Sequence, residues 1–466
     1  MKTKTVLIST LALILYFSNA HSNKLEAQPT TINAGNVSGT WNKAGSPYLV
    51  QGDITVPAGQ KLTITEGVKV EFQGQYRLRV YGSIQALGKA NDTVLFTASN
   101  PNTGWKGIKV YKNSLLEDSI LFKYSKLQYG RTMTYFFRTD TGVLHIDSNK
   151  KVGIYNCLFT KNVGSTYASL KMESCDFTIQ DCGFIENQGL DDRTNGNNAG
   201  QSCISLIKCN GQINNILVAR NKNWAPNNPN DSTSGISGGT CGFNSCSIQF
   251  SNCLFEDNYA TKGVPCMAIS GNNGRNTLTN CVFSKNFSRE GYSLSLYFES
   301  SVNNLVTLNN CLFDGNGSSK VRFDNATNDL YIVSVNSTSN RVIVNNTLFK
   351  NSVNRSVYVL ERAMATFNNC VWENNQVLDN CISSRKNAQV NLYNCRITNN
   401  SNGIYVGQDG NLNVYNSLIA FNGDMNDTFR AGIYAVDGPG NTGINIYNSI
   451  VYNNKSQGRN QMLLLV

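Results

Sequence analysis

Histidine is almost missing from this chain. His21 and His145 are the only two in 466 residues, too few for the His-based metal sites and nucleophile–His–Asp sets of many hydrolases. No phosphate loop, dinucleotide fingerprint or CxxC pair is present either, which removes nucleotide chemistry and zinc ribbons from consideration. After residue 20 no apolar run is long enough to span a bilayer. Forty basic residues against thirty acidic give a formal net charge of +10. They are scattered rather than gathered into a stripe, so the sequence predicts no nucleic-acid partner. A modest positive balance does suit an acidic polymer or an anionic cell surface.

The N-terminus reads as a secretory signal over residues 1–20. Lys2 and Lys4 give a basic start, Val6 to Phe17 is mostly apolar, and Ser18-Asn19-Ala20 offers a small-residue cleavage site. No Cys stands just after it, so a lipid anchor is not expected. Residues 21–35 are polar and aperiodic, a flexible leader. The mature protein is expected to be exported and soluble, secreted or on the outer cell surface.

What is present is a repeat. Between residues 154 and 456 one phrase, apolar-x-Asn-Cys-x-Phe-x-x-Asn, recurs eleven times, for instance IYNCLFTKN, FSNCLFEDN, LTNCVFSKN and FNNCVWENN. Its first Asn column falls at Asn156, Asp181, Asn215, Asn252, Asn280, Asn310, Asn346, Asn369, Asn394, Asn416 and Asn448, at intervals of 22 to 37 residues. A fixed minimum with insertions above it is the behaviour of a solenoid. The phrase is too short, and too rich in β-branched and aromatic residues, for a helical repeat. Cys157 and Phe159 share one face, as do Cys370 and Trp372, so each copy predicts a short strand closed by a bend. Asn suits such bends because it tolerates left-handed backbone. Stacked amides can also bond from coil to coil.

Fourteen Cys in an exported chain would ordinarily suggest disulfides. Seven of them, Cys157, Cys182, Cys253, Cys281, Cys311, Cys370 and Cys395, instead occupy one repeat column, which Ile216, Thr347, Ser417 and Ser449 fill elsewhere. Cys175, Cys209 and Cys246 form a second, shorter stack. Neighbouring strands sit about 4.8 Å apart, too far for the Cβ separation of about 3.8 Å that a disulfide prefers. Stacked free thiols at a small buried site are therefore predicted. The ladder-forming residues are taken as these seven Cys together with Asn156, Asn215, Asn252, Asn280, Asn310, Asn369 and Asn394.

On this phrase the chain resembles the right-handed parallel β-helix proteins, the architecture of pectate lyases and many exported bacterial proteins. The resemblance implies an all-β solenoid of roughly fifteen to seventeen coils and three sheets, with Asn and Cys ladders, running over about residues 45–456. It also implies that the Asn before the Cys marks the bend between the second and third sheets. The later Asn, as at Asn162, Asn258 and Asn286, then marks the exit from the third. Residues 36–110 read as an N-terminal cap and first coils. Gly52-Asp53-Ile54, Val56-Pro57-Ala58-Gly59, Gly67-Val68 and Trp105-Lys106-Gly107-Ile108 are similar to the opening coils of exported β-helix proteins of the Bacteroides group. Residues 36–50, with Trp41 and Tyr48, are the candidate lid over the first coil, and 111–456 are the repeats. Residues 457–466 end on apolar residues with no polar cap, which predicts a truncated tail.

Function on such a scaffold belongs to its outer faces and insertions. The two longest interval excesses place insertions at 188–202 and 222–240, on adjacent coils and after equivalent closing Asn residues, Asn187 and Asn221. They should form one wall. Asp191, Asp192, Arg193 and Lys222 are its candidate catalytic residues. Trp224, Asp231, Arg289 and Glu290 are its candidate substrate contacts. Paired carboxylates could act as acid and base on a glycosidic bond or hold Ca²⁺, the one cofactor with any basis here, and Trp224 could stack on a sugar ring. The same charges also suit an ordinary hydrated loop. The hydrolase motifs GHG and NTD are absent. A second acidic group, Asp424 and Asp427 with Arg430, lies many coils away. His145, in the strand VLHIDS, has no acidic or Cys cluster around it and is read as a surface residue. The reading is a monomeric exported β-helix that binds polysaccharide or cell-surface glycan. A Ca²⁺-dependent uronate lyase or a glycoside hydrolase is the alternative, and a structural stalk or adhesin lacking a C-terminal sorting domain is the third.

Overall fold

The computed structural model describes residues 28–112, 120–132, 142–164, 168–190, 202–224, 240–262, 264–290, 292–298, 303–317, 328–335, 337–353, 355–377, 380–423, 432–436, 442–456, 459–460 and 464–465. The chain divides into two units, residues 1–242 with 252–254, and residues 243–251 with 255–466. Each is a parallel β-helix. Among the described residues there is no α-helix, and no helix is long and apolar enough to cross a membrane.

One coil of the first unit shows how the sequence builds the turn. Leu144–Asp147 lies in a first sheet, Val152–Tyr155 in a second and Leu158–Thr160 in a third. Each pairs in parallel with its counterpart in the next coil, Leu170–Glu173, Asp176–Gln180 and Gly183–Ile185. Ile146, Ile154, Cys157 and Phe159 point inward and are fully buried, while the alternate residues face out. Among the described residues seven first-sheet strands belong to the first unit and seven to the second, with Cys241–Asn244 divided between them. Those fifteen strands fall within the expected range of coils.

A short fourth sheet was not expected. In the first unit Arg131–Thr132, Val163–Gly164, Gln188–Leu190 and Lys222–Trp224 pair in series. In the second unit Tyr259–Lys262 pairs with Phe287–Glu290. All but Arg131–Thr132, which follows Gly130, come directly after a closing Asn, and Gln188–Leu190 and Lys222–Trp224 open the segments that interval excess had assigned to loops. Once two adjacent coils carry extra residues there, their backbones can satisfy each other by pairing.

Every residue of the first Asn column, Asp181 included, has φ between 46° and 55°. This is the bend between second and third sheets, and Asn is there because it accepts left-handed backbone. These side chains are half-buried or exposed. The buried amide ladder is the second column. In the first unit Asn162 Nδ2 donates to Asn187 Oδ1 at 3.0 Å and Asn187 Nδ2 to Asn221 Oδ1 at 3.1 Å. In the second the series runs Asn258, Asn286, Asn316 and, after a gap, Asn375, Asn400, Asn422, Asn454. The gap is Ser352, and Asp329 fills it from the first sheet. Its carboxylate accepts from Asn316 Nδ2 at 3.0 Å and from Ser352 Oγ. Burial pushes the Asp329 carboxyl up to about 7 against the opposing pull of these hydrogen bonds.

All fourteen Cys are buried and free. Their column is more polar than a small hydrophobic slot. Cys157 Sγ donates to Tyr155 O at 3.2 Å, and the Cys157 N–H donates to Cys182 Sγ at 3.4 Å. Ser417 Oγ and Thr347 Oγ1 reproduce the pattern, receiving the N–H of Cys395 at 2.9 Å and of Cys311 at 3.3 Å. A donor–acceptor side chain of this size fits, which explains the interchange of Cys, Ser and Thr. Beneath it the aromatic column stacks, Phe159 on Phe184 at 4.8 Å in one unit and Phe283, Phe313, Phe349 and Trp372 in succession in the other. Each such ring contributes roughly 1.5–3 kcal/mol by burial.

At the N-terminus Thr30–Ile32 and Gly35, assigned to the leader by composition, and Asn36 beside them already pair with Tyr48–Val50 and Ile54–Val56. Backbone pairing needs no apolar side chain, so composition did not reveal it. The 36–50 segment is correspondingly part of this first coil, with Trp41 stacked on Tyr48 at 4.6 Å. In the tail, Leu464–Leu465 pairs antiparallel with Ile450–Tyr452.

Candidate functional site

Most of the anticipated loop wall lies outside the described residues: Asp191, Asp192, Arg193 and Asp231, and likewise Asp424, Asp427 and Arg430. Lys222 is exposed at the start of Lys222–Trp224, which is a fourth-sheet strand of the first unit. Trp224 ends that strand opposite Leu190. Arg289 and Glu290 close the strand Phe287–Glu290 of the second unit, where Glu290 pairs with Lys262. Among the described residues no group of three His, Cys, Asp or Glu side chains is placed to hold a metal ion.

The described chemistry sits on the outer face of the first sheet. In the first unit the register aligns Arg79, Lys109, His145 and Lys171 on successive strands. Two residues further along those strands stand Tyr81, Tyr111, Asp147 and Glu173. Arg79 meets Asp53 at 2.9 Å, Lys109 meets Asp147 at 3.6 Å, and Lys171 approaches Glu173 at 3.9 Å. His145 corrects the sequence reading: it is only 4% exposed, with Nε2 2.7 Å from Asp147 Oδ1. The alternation that put it on the outward face was read as exposure, but the outward face is covered here. Burial lowers the His145 pKa despite Asp147, and burial also lowers that of Lys171. Burial alone would raise the Asp147 carboxyl, but His145, Lys109 and Lys171 outweigh it and hold it low. Tyr81 and Tyr111 stack at 4.4 Å, leaving Tyr81 41% exposed.

In the second unit the same outward column reads Ser295, Tyr331, Tyr358, Ser383, Tyr405 and Tyr434. At Ser383 the column has no ring, and Arg385 fills the space from the adjacent column. Its guanidinium lies 4.3 Å from the Tyr405 ring centre and 5.7 Å from that of Tyr358. Arg355 packs on Tyr358 at 4.2 Å. Tyr331 and Tyr358 are tilted by 50°, and Tyr405 and Tyr434 by 42°. Rings tilted in this way do not cover one another's faces as parallel stacked rings do. Of the carboxylates on these strands, Asp329 is buried and turned into the Asn ladder, and Glu361 is paired with Lys386 at 3.0 Å.

Neither group was found by sequence reading. Both lie on first-sheet strands, which precede the repeated phrase and share no consensus. One signal was available: His145, Tyr358 and Tyr405 each stand eleven residues before their Asn column.

Residues 303–462, within the second unit, match the family model described as right handed beta helix region. No curated protein matches the chain. Among solved structures, it is similar to a tailspike protein mutant of E. coli bacteriophage HK620 in complex with pentasaccharide. The identity is 9% over 86% of this chain and 74% of that one, with a TM-score of 0.36. It is also similar to an alginate lyase from Paenibacillus sp. str. FPU-7, with 9% identity over 86% and 93% of the two chains and a TM-score of 0.26.

Proposed function

We propose that this right-handed parallel β-helix repeat protein binds an extended, acidic polysaccharide on the outer face of its first sheet, as an exported protein acting outside the cell. The observation that carries the reading is Arg385 held between Tyr358 and Tyr405. A guanidinium held beside ring faces suits recognition of a carboxylate through two parallel N–H bonds. The tilted tyrosines beside it offer ring faces and hydroxyls to sugar rings. Strands repeat every 4.8 Å or so, so such contacts recur along the stack and suit a polymer better than a small molecule. The formal charge of +10 supports encounter with a polyanion.

The test is equilibrium binding to polygalacturonate, alginate and a glycosaminoglycan against a neutral glucan. Arg385→Ala is expected to weaken acidic-polymer binding about tenfold, in line with loss of a bidentate charged contact, and Tyr405→Ala less. Unchanged affinity in Arg385→Ala, or equal binding of the neutral glucan, overturns the reading.

One observation favours a second reading, that of a uronate lyase. In the first unit a desolvated His145 beside Asp147 lies between Lys109 and Lys171, the last with its pKa lowered by burial. Lowered pKa values bring a base toward working pH. Such a base would take the proton α to the uronate carboxylate. The bond to the leaving oxygen then breaks as the ring double bond forms, and that oxygen takes up a proton. Ultraviolet absorbance of unsaturated uronate, measured with and without Ca²⁺, tests it. No product from any of the three acidic polymers eliminates this reading and leaves the first untouched.

A further inference from the structure

Second-sheet faces of the two units differ in a way that points to another site. In the second unit the outward rows satisfy themselves. Tyr393, Tyr415 and Tyr447 stack at 4.8 and 5.0 Å, and Asn391, Asn413 and Asn445 bond to one another at 2.8 Å. In the first unit the corresponding rows are Leu121, Gly153, Thr178, Gln212 and, alongside, Lys123, Tyr155, Gln180, Asn214. Tyr155 has no ring above or below it in its row. A groove of about 560 Å³ opens over Leu121, Gly153, Tyr155, Thr178 and Gln212.

Gly153 makes the groove. It occupies an outward position where every other strand of the row carries a side chain. A Cβ placed there would meet Tyr155 Cε2 at 2.6 Å and Leu121 Cδ1 at 3.0 Å. The Tyr155 ring therefore lies down across the Gly153 backbone instead of standing away from the sheet. It forms a flat aromatic floor beside Leu121. Hydroxyl and amide groups come from Thr178 and Gln212. On the rim Asp176 is engaged by Lys150 at 3.2 Å, while Lys151 is exposed. Lys123 Nζ stands 5.8 Å from the Tyr155 ring centre. An apolar platform, a few hydrogen-bonding groups and a surplus of positive charge in a groove of ligand-site size are what a sugar ring bearing a carboxylate requires.

Its place along the chain ties it to the first-sheet face. Asp147 ends one strand of that face, and the chain bends at Ser148 with φ of 52°. Asn149 Nδ2 braces the bend on Asp147 O at 2.7 Å, and Lys150 and Lys151 follow at once.

We propose that this groove is a second saccharide site, holding a short acidic oligosaccharide segment with one ring stacked on Tyr155. The proposal rests on the glycan-binding reading above but concerns a separate surface. Binding of a labelled oligouronate is measured on the full chain and on Tyr155→Ala, Gly153→Ala, Tyr155→Phe and Arg385→Ala, with melting curves as a fold control. Two classes of site are expected. Tyr155→Ala and Gly153→Ala should each weaken one of them about tenfold and Tyr155→Phe should retain it, while Arg385→Ala removes the other. A single class lost in Arg385→Ala and intact in Tyr155→Ala overturns the groove and leaves the first-sheet reading standing. A single class lost only in Tyr155→Ala does the reverse. No binding by the unaltered chain overturns both.

Discussion

On the same sheet of the same repeat, the first unit carries ion pairs and the second carries guanidinium groups packed on rings. Arg79, Lys109 and Lys171 in the first unit each face a carboxylate, from Asp53, Asp147 or Glu173. In formal charge the three cations and three carboxylates cancel. In the second unit Arg355 and Arg385 lie against Tyr358 and Tyr405, and Asp329 is withdrawn into the ladder. The scaffold fixes where outward side chains stand; the choice of neighbour decides whether a cation meets a carboxylate or an aromatic ring. Half-buried ion pairs of the first kind contribute little net stability.

The largest expected contrast is the response to pH. His145 in the first unit has its pKa lowered by burial. The unfolded chain, with an ordinary His pKa of about 6.5, binds more protons below that value than the folded one. The first unit therefore loses stability as pH falls through about 6.5. Asp329 in the second unit is raised by burial to about 7 from 3.8. Here the folded state holds the proton, so stability falls as pH rises from about 4 to 7. Between pH 7 and 5 the two units should move in opposite directions. Asn316 and Ser352 bond to Asp329, and the charge of Asp314 adds to the upward push. Asp329→Asn keeps an acceptor for Asn316 and a donor for Ser352. It should stabilise the second unit by about 4 kcal/mol at pH 8, by less than half of that at pH 5 and by very little below pH 4. Amide exchange read at Ile146 and Met172 against Ile332 and Val359 resolves the units separately. A parallel response in both, or a stabilisation independent of pH, breaks the contrast.

The ladders give a smaller effect and show how much was legible. The repeat spacing named the coil, and the first Asn column was placed at the right bend. Its amides bond from coil to coil in places, Asn215 to Asp181 and Asn369 to Asn346, but the buried ladder is the second column. Both columns look alike in sequence; what separates them is that one side chain turns out at a left-handed bend and the other turns in. Asn187→Ala should therefore cost about 1–3 kcal/mol by orphaning buried groups. Asn394→Gly should cost almost nothing, since φ there is 53°. Equal losses in thermal melts would mean that both columns carry load. Ser352 was visible as the odd residue in VNNTLFKNS. Its plug, Asp329, stands 23 residues earlier on another sheet, and no local pattern connects the two. The same holds for Arg385, whose role depends on Ser383 leaving a space between rings of different coils. The bend between first and second sheets varies in length, so the outward column drifts against the phrase and its chemistry escapes alignment.

The smallest expected effect bears on which face meets the polymer. Lys171 stands in the first unit among groups whose charges cancel, and burial already lowers its pKa. Its removal in Lys171→Met deletes a cation but also releases Glu173, which is 46% exposed and can be solvated. A polyanion should thus notice the change only weakly. Affinity for polygalacturonate should fall by about threefold or less, the range of an exposed pair, against about tenfold for Arg385→Ala. Added salt should lessen the Lys171→Met effect further, because its contribution is a screened field and not a fixed bidentate contact. If Lys171→Met loses more affinity than Arg385→Ala, the first unit is the principal polymer site and its ion pairs must open on binding. If it instead binds normally but abolishes release of unsaturated uronate, the ion-paired face is the reacting one and the arginine–tyrosine face is the grip.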